Sequence, residues 1–128
     1  SLFGKNGADR LFAGGGDDYV DGEYGHDELH GGFGDDIMAG RSGDDRIFGD
    51  EGDDRITGDR GDDVIDGGTG DDQIFGNLDY DVVRGGRGRD RINVVRGGVD
   101  TVDCGLGRDV VFADPVDRVD RSCEDVRR

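Results

Sequence analysis

Aspartate recurs at every ninth residue through ten consecutive units: Asp9, Asp18, Asp27, Asp36, Asp45, Asp54, Asp63, Asp72, Asp81 and Asp90. Two positions after each one stands an apolar residue: Leu11, Val20, Leu29, Met38, Ile47, Ile56, Ile65, Ile74, Val83 and Ile92. No acid pair falls outside this repeat, and no Ser or Cys nucleophile sits beside a suitable base, so a non-enzyme is expected. A carboxylate returned again and again to the same place is instead the chemistry of cation binding. A row of equivalent sites is the predicted functional feature.

Aligned on the aspartate, the unit reads Gly-x-x-Gly-x-Asp-x-apolar-x. Its first position is glycine in nine of ten units (Gly4, Gly22, Gly31, Gly40, Gly49, Gly58, Gly67, Gly76 and Gly85), with Ala13 the exception. Its fourth is glycine in nine of ten (Gly7, Gly16, Gly25, Gly34, Gly43, Gly52, Gly61, Gly70 and Gly88), with Asp79 the exception. Glycine permits positive φ and close backbone approach, which predicts a tight turn over the first six positions. The last three, as in Arg46-Ile47-Phe48, read as a short strand with the central side chain inward.

Two units then close one coil, and the chain lies above itself at about 4.8 Å, the spacing of hydrogen-bonded strands. The predicted fold class is all-β, a parallel β-roll (a β-helix or solenoid) of stacked 18-residue coils. Its two sheets enclose a thin layer of Leu, Ile, Val and Met. Between stacked turns, loop carbonyls and aspartate carboxylates make an all-oxygen cage of roughly six ligands, which suits Ca²⁺ better than Zn²⁺, a redox metal or Mg²⁺. The expected ligands are the ten aspartates, with carbonyls at the glycines named above. Five turns on each edge leave four gaps apiece, so the strict repeats hold at most eight ions. The unit Gly76-Asn77-Leu78-Asp79-Tyr80-Asp81 lacks its fourth glycine and has bulky loop residues, which weakens the gap between the Asp63 and Asp81 turns. About seven Ca²⁺ is therefore the expectation. The extra acids before the sixth position (Asp17, Asp35, Asp44, Asp53, Asp62 and Asp71) have two readings: ligands for ions at the ends of the stack or attractors of cations, or, the favoured one, solvated turn residues that raise the local negative field.

Composition bounds the reading. At 128 residues one domain is expected, yet hydrophobic residues make up only 31%, charged residues 38%, and the net charge is −16. Such values ordinarily mean disorder, but a disordered chain has no reason to keep Ile and Val in step with Gly and Asp. The conflict resolves if self-repulsion holds the chain open until cations arrive. An acidic surface disfavours nucleic acid and anionic membranes, and no apolar run is long enough to span a bilayer. The chain opens straight into the first repeat, as a piece of a longer protein would.

Units such as Gly31-Gly32-Phe33-Gly34-Asp35-Asp36-Ile37-Met38-Ala39 and Gly67-Gly68-Thr69-Gly70-Asp71-Asp72-Gln73-Ile74-Phe75 make the chain resemble the RTX, or haemolysin-type, calcium-binding repeats of secreted bacterial proteins. The resemblance covers 4–93 in strict phase and 95–111 loosely. It implies a right-handed roll, ions bound by the sixth-position aspartates and loop carbonyls, and folding only in the presence of Ca²⁺. It also implies an extracellular bacterial setting and other domains of a longer parent as partners. A monomer is expected.

After Ile92 the phase slips by one residue, and Asp100-Thr101-Val102 and Asp109-Val110-Val111 continue a degraded pattern, with Asp100 and Asp109 as further candidate ligands. Residues 1–111 are thus the expected repeat domain and 112–128 a C-terminal cap that covers the open end, with Val116, Val119 and Val126 as its apolar contacts. Cys104 and Cys123 flank this transition. They either form a disulfide that staples the tail, which would suit an extracellular compartment, or remain two buried thiols. Similar tails ending in Cys-Glu follow such repeats in some bacterial relatives.

Other signals lose to the repeat phase. His26-Asp27-Glu28-Leu29-His30 resembles a zinc-protease helix, but its Asp27 and Leu29 keep step with the other units, which assigns it to turn and strand. Arg60-Gly61-Asp62 spells an integrin tripeptide from ordinary turn residues, and Gly14-Gly15-Gly16 precedes no helix that could bind phosphate. Phe12, Phe48 and Phe75 fall at outward positions, where they would shield a sheet face. The alternative function is an adhesive scaffold that presents an outer sheet face. It would need a regular ladder of one residue type, and Arg10, Glu28, Arg46, Val64 and Val82 are irregular.

Overall fold

Each apolar residue two places after an aspartate becomes the inward side chain of a strand. In the computed structural model, which describes residues 1–128, there is no helix, and parallel strands stack as a solenoid of about seven turns with some 18 residues per turn. One sheet takes the odd strands in order: β1 (Leu2–Asn6), β3 (Tyr19–Tyr24), β5 (Ile37–Ser42), β7 (Arg55–Arg60), β9 (Gln73–Leu78), β11 (Arg91–Asn93), β13 (Val110–Phe112) and β15 (Asp125–Arg127). The other takes β2 (Arg10–Gly15), β4 (Glu28–Phe33), β6 (Arg46–Glu51), β8 (Val64–Thr69), β10 (Val82–Gly88), β12 (Thr101–Gly107) and β14 (Arg118–Val119). Residues pair with those 18 places on, as Leu29 with Ile47 and Ile47 with Ile65. Past the slip the offset becomes 19, as Val83 with Val102.

The core is one side chain thick on each sheet. Val20, Met38, Ile56, Ile74, Ile92 and Val111 face Leu29, Ile47, Ile65, Val83 and Val102, and all are fully buried. Burying such a side chain contributes about 1.5–3 kcal/mol, so this thin layer leaves little surplus over the cost of ordering the chain.

The division into turn and strand differs from the sequence expectation. The strands run through the first three positions of the following unit, as β6 does to Glu51, and only the fourth to sixth positions form the turn. The reason is that stacked coils satisfy one another's backbone groups even where the chain bends. At the bend the second position takes positive φ, at Lys5, Glu23, Arg41, Asp59 and Asn77 along one edge. The fourth position also has positive φ, +125° at Gly43, and a Cβ there would overlap the Gly25 carbonyl oxygen.

The tail is a shortened further coil. It adds β14 to β12 and β15 to β13. Val119 packs against the core, but Val116 is 62% exposed because it sits in the turn closed by the Asp117 N–H donating to the Asp114 carbonyl, and Val126 is half-exposed. Ala113 and Cys123 are the tail's core residues instead, and Cys123 is disulfide-bonded to Cys104.

Candidate metal centres

The sixth-position aspartates end the turns, and the fold forces their side chains between coils. They form two rows, one along each edge. In each row a carboxylate Oδ1 accepts the backbone N–H of the aspartate one coil earlier. Asp9 donates to Asp27, Asp27 to Asp45 and Asp45 to Asp63, each at 2.8 Å, and Asp63 donates to Asp81 at 3.0 Å. On the other edge Asp18 donates to Asp36 at 2.7 Å, Asp36 to Asp54 and Asp54 to Asp72 at 2.8 Å, and Asp72 to Asp90 at 3.0 Å. From Asp27 and Asp36 onward, half of each carboxylate is thus consumed in holding the stack together.

The other oxygen is bare. Eleven Oδ2 atoms, those of Asp9, Asp27, Asp36, Asp45, Asp54, Asp63, Asp72, Asp81, Asp90, Asp100 and Asp109, are buried without a hydrogen-bond partner. Asp18, on the first coil, is half-buried, and its Oδ1 takes the N-terminal ammonium at 3.2 Å. An uncompensated buried carboxylate costs several kcal/mol, so eleven exceed the whole stability of an ordinary domain. Such oxygens need protons or cations.

Both answers leave a trace. Desolvation by burial pushes the Asp63 carboxyl up to about 8, Asp72 and Asp81 to about 7, and Asp45, Asp54 and Asp90 to about 6. Burial likewise raises Asp27, Asp36, Asp100 and Asp109. Beside the bare oxygens of Asp9, Asp27, Asp36, Asp45, Asp54, Asp63, Asp72 and Asp90 lies a carbonyl of the next coil. A Cβ on Gly22 would stand 2.6 Å from Asp27 Oδ2 and 2.9 Å from the Gly40 carbonyl oxygen. On Gly31 it would stand 2.5 Å from Asp36 Oδ2 and 2.6 Å from the Gly49 oxygen. The first-position glycines therefore keep open a cradle lined by oxygen of two kinds. No group of three or more His, Cys, Asp or Glu side chains converges anywhere in the chain. An ion between turns would draw on one carboxylate and several carbonyls, a hard oxygen set of the kind Ca²⁺ takes.

The gap that the sequence marks as weak keeps its cradle, and a departure lies one coil further on. At the Asp63 gap the cradle keeps both partners, since a Cβ on Gly58 would meet Asp63 Oδ2 and lie 3.1 Å from the Gly76 oxygen. Asp79, at φ 78°, substitutes for glycine there and accepts the Gly61 N–H through Oδ2 at 3.1 Å. At the Asp81 gap a Val94 methyl, 3.3 Å from a Cβ on Gly76, stands where other cradles have a carbonyl.

The fifth-position acids are not merely solvated. Asp17 Oδ1 accepts the Asp35 N–H at 3.0 Å, Asp35 that of Asp53 at 2.9 Å, and Asp53 that of Asp71 at 2.8 Å. Asp44 and Asp62 do the same on the other edge, toward Asp62 and Tyr80. These acids reach toward the next coil while the sixth-position acids reach toward the previous one, so each joint is tied from both sides. An exposed and a hydrogen-bonded aspartate look alike in a sequence, which hid the second ladder. Asp117 was also missed. Its triplet Asp117-Arg118-Val119 repeats the Asp-x-apolar signal, but 17 residues after Asp100 and so out of phase.

The incidental motifs are absorbed by this scaffold. His26 Nδ1 accepts the Asp44 N–H at 2.8 Å, whereas His30 stacks between Phe12 and Phe48 with ring centroids 4.7 Å apart on each side. Phe75 carries the Arg55 guanidinium 5.2 Å from its ring centre.

A family model of the RTX calcium-binding nonapeptide repeat, four copies long, matches residues 3–38, 30–65, 39–74, 66–97 and 81–111. No curated protein matches the chain.

Proposed function

The chain belongs to the RTX calcium-binding nonapeptide repeat family, and from that premise we propose that it is a module whose folding is driven by Ca²⁺ entering the gaps between its turns. The family is a structural calcium-binding module and not an enzyme family. The observation that carries the reading is the set of eleven buried carboxylate oxygens with no partner in the protein. Within the strict repeats the holding residues are the ten sixth-position aspartates with first-position carbonyls such as those of Gly40, Gly49 and Gly67. Because the Asp63 gap keeps its cradle, we assign up to eight ions there, rather than the about seven that the sequence leads one to expect. When bound, Ca²⁺ supplies the positive charge and the hard ligand-accepting centre that this oxygen-only environment lacks.

The residues do the rest. Sixth-position Oδ1 atoms and fifth-position carboxylates set the spacing of adjacent coils, so the oxygens of a site are in place once the coils touch. First-position glycines keep side chains out of the cradles. The apolar row closes behind them and excludes water from one side. At the low free Ca²⁺ inside a cell, repulsion within a chain of net charge −16 keeps it extended. Outside, millimolar Ca²⁺ fills even weak sites and stabilises the folded state by mass action. The module would then assist secretion and extracellular folding of a larger bacterial protein, and the other domains of that parent are its partners.

Far-UV circular dichroism with and without chelator tests this. The reading expects strand signal in millimolar calcium chloride and its loss with EDTA. Strand signal indifferent to chelator would remove the mechanism.

A further inference from the structure

We propose that the groove along the bends that end the odd strands binds a neutral, linear oligosaccharide, a function beyond the calcium reading above. The groove has a volume of 740 Å³, within the roughly 300–1,000 Å³ usual for small-molecule sites. None of the sixth-position aspartates lines it.

Its walls are built from strained backbone. The second-position residues Glu23, Arg41, Asp59 and Asn77 line the groove, and all four hold φ between 69° and 81°. Glycine takes that conformation freely, whereas another residue does so under strain that persists only where its surroundings fix it. The bends of the opposite edge use glycine at the equivalent place, at Gly14, Gly32, Gly68 and Gly86, with Asp50 the exception. The odd-strand bends thus keep side chains where the even-strand bends largely do without them.

A hydrogen-bonded floor fixes these side chains. Asp21, 5% exposed, accepts Nε–H and Nη2–H of Arg41 at 3.1 and 2.9 Å and the Tyr19 hydroxyl at 2.8 Å. Asn77 donates to Thr57 Oγ1 at 2.8 Å and to Asp59 Oδ1 at 3.2 Å, and Thr57 donates to Asp59 Oδ1 at 3.1 Å. Arg60, Arg96 and Glu23 also line the groove, and none of them is in an ion pair.

The chemistry of the lining selects the ligand. Its three acids, Asp21, Glu23 and Asp59, balance its three arginines, although the chain as a whole carries −16. A charged ligand finds no net counter-charge there. A sugar hydroxyl both donates and accepts, and it meets guanidinium donors and carboxylate acceptors side by side. Tyr24 and Leu78, both exposed, offer apolar surface for the C–H faces of a pyranose. Tyr24, Ser42, Arg60 and Leu78 stand in register on β3, β5, β7 and β9. Their step of about 4.8 Å per coil is close to the length of one pyranose unit in an extended chain. The ligand would therefore lie along the stack, one sugar to a coil.

Titration of the chain in millimolar calcium with cellopentaose and with maltopentaose, followed by amide NMR shifts, tests the site. At least one pentaose should shift Tyr24, Ser42, Arg60, Leu78 and Arg96. Arg60→Ala removes a charged donor and should weaken that binding about tenfold, the scale of one hydrogen bond to a charged group. Tyr24→Ala should weaken it as well. Neither residue is an assigned metal ligand, so both variants should keep their strand signal in calcium; if one unfolds, the other decides. No shifts with either pentaose, shifts on another face, or binding undiminished in the folded variants would overturn the site while leaving the calcium reading intact. Preference for a trigalacturonate probe over both pentaoses would overturn the neutral assignment. A chain with no strand signal in calcium would sink the calcium reading and the groove together.

Discussion

Asp54 shows how one carboxylate can serve the fold in one condition and oppose it in another. Its Oδ1 accepts the Asp36 N–H at 2.8 Å, and its Oδ2 faces the cradle at Gly49 with no donor. Asp54→Asn should lose one bound ion and cost about 3 kcal/mol in calcium, the scale of removing one partner from a buried charge pair. In EDTA the same change should ease folding, because it deletes a buried charge. A thermal melt in calcium and the pH midpoint of acid-induced strand signal in EDTA check the pair of signs, and a lower melt without a higher pH midpoint would contradict it. The pH dependence follows from the same groups. Folded carboxyls at about 6 to 8, against 3.8 unfolded, mean that the folded state holds more protons. Without calcium their contribution is complete below about pH 4 and is lost as pH rises through 6 to 8. Chelated protein should therefore gain strand signal on acidification from pH 8 to pH 5, read by circular dichroism. In calcium, acid should weaken the fold by competing for the same oxygens.

At the scale of the element, the turn is the least forgiving part. Gly43→Ala would place a Cβ at φ +125° against the Gly25 carbonyl, and it should cost about 3 kcal/mol in calcium melts, the upper end for a strained backbone position. The tail is secured differently. Reducing the Cys104–Cys123 bridge, across a separation of 19, should cost about 3 kcal/mol in the chain-entropy picture. Hydrogen exchange should then rise first at β14 and β15, with the strict repeats still protected. Ile47 and its equivalents were legible in the sequence because an inward position two places after the aspartate tolerates only apolar residues. So were the aspartate rows, since a conserved spacing stacks identical atoms. The length of the strands was not legible: positions such as Gly49-Asp50-Glu51 carry turn-forming residues, and only the neighbouring coil reveals that their backbone is paired. The tail coil was hidden for the opposite reason. Its acid-x-apolar triplet is present, but the shortened turn through Pro115 takes Asp117 off the period.

For the molecule as a whole, a core one side chain thick and a charge of −16 leave cations to decide between two states of very different size. Small-angle X-ray scattering measures that choice most directly. In EDTA at pH 8 the chain should have a radius of gyration near the unfolded expectation of about 37 Å, and in millimolar calcium it should shrink toward the roughly 14 Å of a folded chain of 128 residues, somewhat more for an elongated roll. A chain equally small in chelator and in calcium would contradict the account.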